Sequence, residues 1–269
     1  MVVGGPGTHP PGWVQCPGGP ATPDSPWTAA HKGFYLARIV REQCSRIMRA
    51  RALGTRPALP GDCEGWMHRA IRHLKQRDPI LCGIIERVGP CRIRYAEPDF
   101  ETLARSIVFQ QLSGASARAI FARVLDATRS GGPMTPQGVL ALTESELRGA
   151  GLSARKACYL RDLAARTQTG AIDFTRLPAL TDTEVIAHLT TVKGVGTWTA
   201  QMFLLFALRR PDVLATGDFG IRSAIRKAYR LRALPGPDRI ETLARPWHPH
   251  CSVACWFLWR SLDSVLLAS

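Results

Sequence analysis

From Trp66 onward, apolar residues recur every three to four positions in segment after segment, with almost no two-residue alternation, and that period predicts helices. The helical segments expected are 66–75, 81–88, 99–112, 115–129, 136–142, 144–150, 154–169, 182–190, 197–208, 219–228, 238–244 and 252–267. End signals agree with the periodicity. Thr181 followed three residues later by Glu184 makes a capping box, Ser153 stands at the cap position of 154–169, and Gly170 is placed to stop that helix. The expected fold class is all-α.

Residues 1–61 read differently. Pro/Gly clusters fill 4–12 and 17–26 and a second break falls at 55–61, which predicts a poorly ordered tail ahead of a domain over 62–269. Within the tail, 34–53 has helical spacing at Leu36, Ile39, Val40 and Ile47. Its basic face of Arg38, Arg41, Arg46, Arg49 and Arg51 suits either DNA contact or plain solvation.

Charge changes the picture more than composition does. The 269 residues hold 35 Lys/Arg against 21 Asp/Glu, a net +14, which points to a polyanionic partner: nucleic acid first, an anionic membrane surface second. Only 7 Lys/Arg and 2 Asp/Glu lie in the tail, so the excess belongs mainly to the domain. The longest apolar runs, 202–208 and 253–259, fall far short of the roughly 20 residues a membrane span needs. No transmembrane helix is expected, and the Gly/Pro-rich start lacks the pattern of a signal peptide, so an intracellular protein is expected. In that setting the eight scattered cysteines read as reduced thiols.

The most informative stretch is 185–220. A helix ends near Thr190, Val192-Lys193-Gly194-Val195-Gly196 turns sharply, and an apolar helix starts at Thr197, giving a hairpin over 190–198. Two glycines allow a tight turn and close approach of another backbone. The amides at the start of the second helix then face outward, where a DNA phosphate fits, and Lys193 adds a charge. A plain helix-to-helix connection would use the same residues.

The continuation distinguishes the two readings. Phe100-Glu101-Thr102-Leu103, Ile107-Val108-Phe109-Gln110-Gln111-Leu112-Ser113, 192–206, Pro211-Asp212-Val213 and Gly217-Asp218-Phe219-Gly220 follow one another in a characteristic order. In this the chain resembles the helix-hairpin-helix superfamily of DNA base-excision glycosylases, most closely the DNA-3-methyladenine glycosylase II family, from about Trp66 to Leu262. The resemblance implies two helical lobes with the DNA and a base pocket at the cleft between them.

It also implies that Asp218 is the essential aspartate. A carboxylate there would stabilise positive charge on the sugar or activate a water, and an ordinary helix N-cap before 219–228 accounts for it as well. Bifunctional relatives carry a lysine nucleophile two residues after the second hairpin glycine. Here that residue is Trp198, so a monofunctional enzyme that leaves an abasic site is expected. The base must be flipped out, and the resemblance assigns Gln111 or Leu112 to fill the gap, although Leu112 also reads as core. Trp198 is implied in the base pocket, where stacking and cation–π attraction favour an alkylated purine, or it is a core tryptophan under the hairpin; Met202, one turn later on the same face, is placed to line the pocket floor, although a methionine in such surroundings is more often core filler.

In the last helix, Trp247, Pro249 and Ser252 match the family's Trp-x-Pro-aromatic-Arg-Ser pattern, whereas His250 replaces the aromatic and Cys251 the arginine. His250 is therefore a further pocket candidate, or a surface histidine. His248, His250, Cys251 and Cys255 are zinc-binding types without a zinc motif's spacing, and the four closely spaced cysteines of iron-sulfur relatives are missing. No cofactor is expected beyond a monovalent cation, which the resemblance implies on the backbone carbonyls of Thr190, Val192 and Val195. The implied partner is double-stranded DNA with damaged bases, bound by a monomer without membrane contact, in the bacterial cytoplasm at the nucleoid or in a eukaryotic nucleus. The expected reaction is hydrolysis of the N-glycosidic bond of alkylated purines such as 3-methyladenine. The alternatives are a glycosylase for uracil, hypoxanthine or etheno adducts, and a non-catalytic DNA-binding module.

Overall fold

The computed structural model describes residues 63–263 except 113 and 129–132. The tail, with its expected helix at 34–53, lies outside the described residues. Among these residues there is no strand and there are twelve α-helices: α1 (Cys63–Arg77), α2 (Pro79–Val88), α3 (Phe100–Phe109), α4 (Gly114–Thr128), α5 (Pro136–Ala141), α6 (Glu144–Gly149), α7 (Ala154–Gln168), α8 (Asp182–Thr190), α9 (Thr197–Phe206), α10 (Phe219–Ala228), α11 (Pro237–Ala244) and α12 (Cys251–Ser261).

The end signals are realised. Glu184 N donates to Thr181 Oγ1 at 3.3 Å while Thr181 N donates to Glu184 Oε2 at 2.8 Å, and Lys156 N donates to Ser153 Oγ at 3.3 Å. Gly170 takes a φ of +76° beyond α7. Two ends differ from the periodicity. The helix expected to reach 112 stops at Phe109, because Gln110 leaves the helical region with ψ at 132° and Gln111 enters the left-handed region with φ at +56°. The last helix begins at Cys251 and ends at Ser261, where Arg260 pairs with Asp263 at 2.8 Å, and the expected end at 267 falls outside the described residues.

Two lobes result. Helices α3 to α7 pack on one another around Leu103, Ile107, Val124, Val139, Leu147, Leu160 and Leu163. Helices α1 and α2 pack with α10 and α12 around Leu74, Leu81, Ile84, Ile225, Trp247 and Phe257, so the second lobe is built from both ends of the described chain. The α8–α9 hairpin lies between them. Residues 251–259 are all buried, which makes α12 the central element of its lobe.

A buried carboxylate ties that lobe together. Asp78 caps α2 through Ile80 N at 2.9 Å and Leu81 N at 3.0 Å, and its other oxygen accepts from Trp247 Nε1 at 2.8 Å and from the Tyr229 hydroxyl. Burial, and then the hydrogen bond to Asp78, pushes the Tyr229 phenol up, so the phenol stays a donor. Asp78→Ala removes a cap and strands two aromatic donors. Urea unfolding is expected to show a loss of about 2 kcal/mol.

Candidate active site

The hairpin is anchored from below and open above. Val192 and Val195 are buried at 1% and 4% exposure, whereas Lys193, Gly194, Gly196 and Thr197 are exposed. Val195 N donates to Val192 O at 3.0 Å, closing the turn, and Gly196 is the N-cap of α9 with no side chain capping it. The first amides of α9 are thus left for an outside acceptor. Gly194, at φ +80°, is held against the first lobe: a Cβ there would lie 2.1 Å from the Tyr159 ring. Lys193 N donates to Asp162 Oδ2 at 2.9 Å, and Gln110 Nε2 donates to Gly194 O at 2.9 Å.

Where the hairpin meets the second lobe stands Asp218, 2% exposed. It is the N-cap of α10, its Oδ1 accepting from Ile221 N at 2.8 Å. The same oxygen accepts from Trp259 Nε1 of α12 at 2.8 Å, and Oδ2 accepts from Trp198 Nε1 of α9 at 2.8 Å. One carboxylate therefore joins the first turn of the hairpin's second helix to the end of α12. Gly220 makes the approach possible, since a Cβ there would sit 3.0 Å from both Asp218 Oδ1 and the Trp259 ring.

These donors are neutral, so they satisfy the carboxylate without cancelling its charge. A carboxylate oxygen accepts about two hydrogen bonds. Oδ1 is saturated, whereas Oδ2 accepts from Trp198 alone and keeps a second acceptor direction.

Along α9, Trp198, Met202 and Phe206 are half-buried while Phe203, Leu204 and Leu205 are buried. Their four-residue spacing makes one partly open stripe. Phe206 stacks on Trp259 with ring centroids 5.9 Å apart. Buried acid, paired indoles and the stripe of Trp198, Met202 and Phe206 thus adjoin a helix N-terminus that no side chain caps.

Comparison with known proteins decides the family. A profile described as HhH-GPD superfamily base excision DNA repair protein matches residues 104–249, more than half of the chain. The DNA-3-methyladenine glycosylase 1 of Schizosaccharomyces pombe is 32% identical over 194 residues, covering 70% of this chain and 85% of that protein. The chain belongs to the HhH-GPD superfamily.

The DNA-3-methyladenine glycosylase of Saccharomyces cerevisiae is 34% identical over 201 residues, covering 66% of this chain and 67% of that protein. The solved structure of the S. pombe 3-methyladenine DNA glycosylase in complex with abasic DNA superimposes with a TM-score of 0.63 at 33% identity, over 71% of this chain and 95% of that one.

Within this HhH-GPD domain, the remaining residues singled out from the sequence lie as follows. Gln111 is exposed at the tip of the turn after α3, while Leu112 is half-buried and packs on the core. His250 stands apart from Asp218. Its ring meets Trp66 at 6.0 Å and His73 at 5.1 Å, and the helical rise over the nine steps from it to Trp259, the Asp218 partner on α12, is roughly 13 Å.

Asp212, His248 and Cys251 bring ligand-type atoms within 4.8 Å of one another. Internal hydrogen bonds account for that cluster: Asp212 Oδ1 accepts from Cys251 N at 3.1 Å and Oδ2 lies 2.7 Å from His248 Nδ1. Burial pushes both thiols of α12 up, Cys255 to about 12, so neither is a ready thiolate. Cys82, Cys91, Cys251 and Cys255 take part in no disulfide, whereas Cys158, read from the sequence as reduced, is disulfide-bonded.

Sequence reasoning missed Trp259 at the carboxylate, Phe206 stacked on that indole, and Tyr159 and Asp162 beneath the hairpin.

Proposed function

We propose that this HhH-GPD protein is a monofunctional DNA glycosylase that hydrolyses the N-glycosidic bond of alkylated purines, 3-methyladenine foremost, and leaves an abasic site. The observation that carries the reading is Asp218, buried among three neutral donors, with one unsatisfied direction on Oδ2, beside the aromatic stripe of α9. The names of the relatives support the substrate class.

The hairpin amides of Gly194, Gly196 and Thr197 take a DNA phosphate, while those of Lys193 and Val195 are spent on Asp162 and Val192 and hold the turn in shape, and Gln111 fills the space the flipped nucleotide leaves. Trp198 and Met202, together with Phe206 and Trp259, offer π and thioether surface to the extruded base. An N-alkylated purine is cationic, so it stacks well and departs without a strong general acid. As the bond to C1′ breaks, positive charge grows on the sugar, and the uncancelled charge of Asp218 stabilises it while Oδ2 orients the attacking water. Thr190 ends α8 and Val192 and Val195 lie in the turn that follows, so their backbone oxygens, of which Val192 O also accepts from Val195 N at 3.0 Å, are the ones that would hold a monovalent cation beside the phosphate. No described helix is long and apolar enough to cross a membrane. The protein then works at the nucleoid or in the nucleus, wherever its DNA is.

The test is incubation of the purified protein with methylated duplex DNA. Free 3-methyladenine is expected by chromatography, with strand breaks appearing only after alkali. Breaks before alkali would overturn the monofunctional reading, and no release of any methylated purine would overturn the substrate class.

A further inference from the structure

Helix α7 touches both DNA-facing elements of the proposed enzyme from a single face. Lys156, Tyr159 and Asp162 follow one another at three-residue spacing, so they lie along neighbouring turns of the same side. Lys156 Nζ donates to Val108 O at 2.7 Å and Gln110 O at 2.5 Å, the carbonyls at the end of α3. Tyr159 fills the space beside Gly194, and Asp162 accepts the Lys193 amide while Arg166 Nε holds the same oxygen at 2.9 Å. Gln110 closes the circuit through its bond to Gly194 O.

We propose that α7 is the brace that fixes the span between the gap-filling turn and the phosphate-gripping hairpin, with Lys156 as the positioning residue on the turn side. The proposal rests on Gln111 being the group that fills the gap. The Gln110 carbonyl belongs to the peptide that enters Gln111, so the Lys156 bond fixes the plane from which Gln111 departs at φ +56°. A non-glycine residue persists in that region only when its surroundings over-determine it. Keeping an amine half withdrawn from water has a cost, visible in the fall of its pKa to about 8 on burial, and the two carbonyl acceptors offset it. Displacing the turn by about 1 Å would slow a reaction that depends on a held, flipped nucleotide by as much as about 100-fold.

The test compares wild type with Lys156→Met and Lys156→Arg by three readouts. These are single-turnover release of 3-methyladenine, anisotropy on undamaged duplex, and fluorescence of 2-aminopurine placed beside an abasic site, which brightens as the turn unstacks it. Lys156→Met is expected to lose tenfold or more in release, to lose the brightening, and to bind undamaged duplex within threefold of wild type; Lys156→Arg, which still reaches two carbonyls, recovers most of both. Unchanged release and brightening in Lys156→Met overturn the brace. A loss of duplex affinity as large as the loss of release does so too, because a structural defect would weaken both. If Lys156→Met does not fold, Lys156→Gln takes its place under the same criteria. If wild type releases no base, the glycosylase reading fails by itself, and the brightening assay still decides the brace.

Discussion

Asp218→Asn is expected to slow release of methylated purines at least about 100-fold while binding undamaged duplex as well as wild type or better. Asparagine keeps the size and one acceptor oxygen of aspartate but removes the charge that faces the developing cation. It also removes a repulsion between a carboxylate and DNA phosphates, which is why affinity is expected to hold or rise. The fold will register the change as well. With the amide oxygen serving Ile221 N and Trp259 Nε1, the NH2 group faces Trp198 Nε1, donor against donor. That stranded indole should cost about 1–3 kcal/mol in urea unfolding, too little to explain a hundredfold kinetic loss if the protein remains folded. Trp198→Phe separates the two effects: it breaks the same hydrogen bond yet leaves the carboxylate and a smaller π face for the base, so its loss of release should fall well short of that of Asp218→Asn. Release by Asp218→Asn within threefold of wild type would remove Asp218 from the chemistry.

Asp218 also shows how far the sequence carries and where it stops. Helix periods, caps and the hairpin were all legible, because each depends on neighbours within a turn or two: Thr181 finds Glu184, and Ser153 finds the Lys156 amide. The cap role of Asp218 was legible for the same reason, and its catalytic candidacy came from motif order. Its two indole partners were not both legible. A tryptophan in a buried apolar helix implies that its N–H seeks an acceptor, but α12 holds two, and only packing decides between them. Trp259 reaches Asp218 across 41 residues, whereas Trp256 Nε1 is buried with no partner among the described residues.

Asp78 makes the complementary point. It too is a buried N-cap with two aromatic donors, Tyr229 and Trp247, yet all its partners belong to one lobe, and it reads as structure. What sets Asp218 apart is the Trp198 bond to the hairpin helix. That is a property of tertiary topology, and no local pattern encodes it. The contacts from α7 to the hairpin escaped notice on the same ground, since Lys193 and Asp162 lie 31 residues apart.

Gly194→Ala tests that tertiary fit most severely. Its φ of +80° costs an L-residue roughly 1–2 kcal/mol, and the new methyl would fall 2.1 Å from the Tyr159 ring, an overlap that a shift of the ring or of the backbone must relieve, typically at about 1–3 kcal/mol. Together these give a destabilisation of about 2–5 kcal/mol. Movement of residue 194 also breaks the Gln110 bond to its carbonyl and tilts the amides that follow. Affinity for undamaged duplex should therefore fall by about tenfold or more, since amides held at a helix N-terminus grip phosphate through their direction as well as their charge. Adding Tyr159→Ala to Gly194→Ala separates the two causes. It removes the overlap and leaves the left-handed backbone, so it should recover part of the thermal stability but less of the affinity, because the Tyr159 support is gone. If Gly194→Ala alone melts and binds DNA like wild type, the close packing of the hairpin on α7 is not what orients its amides.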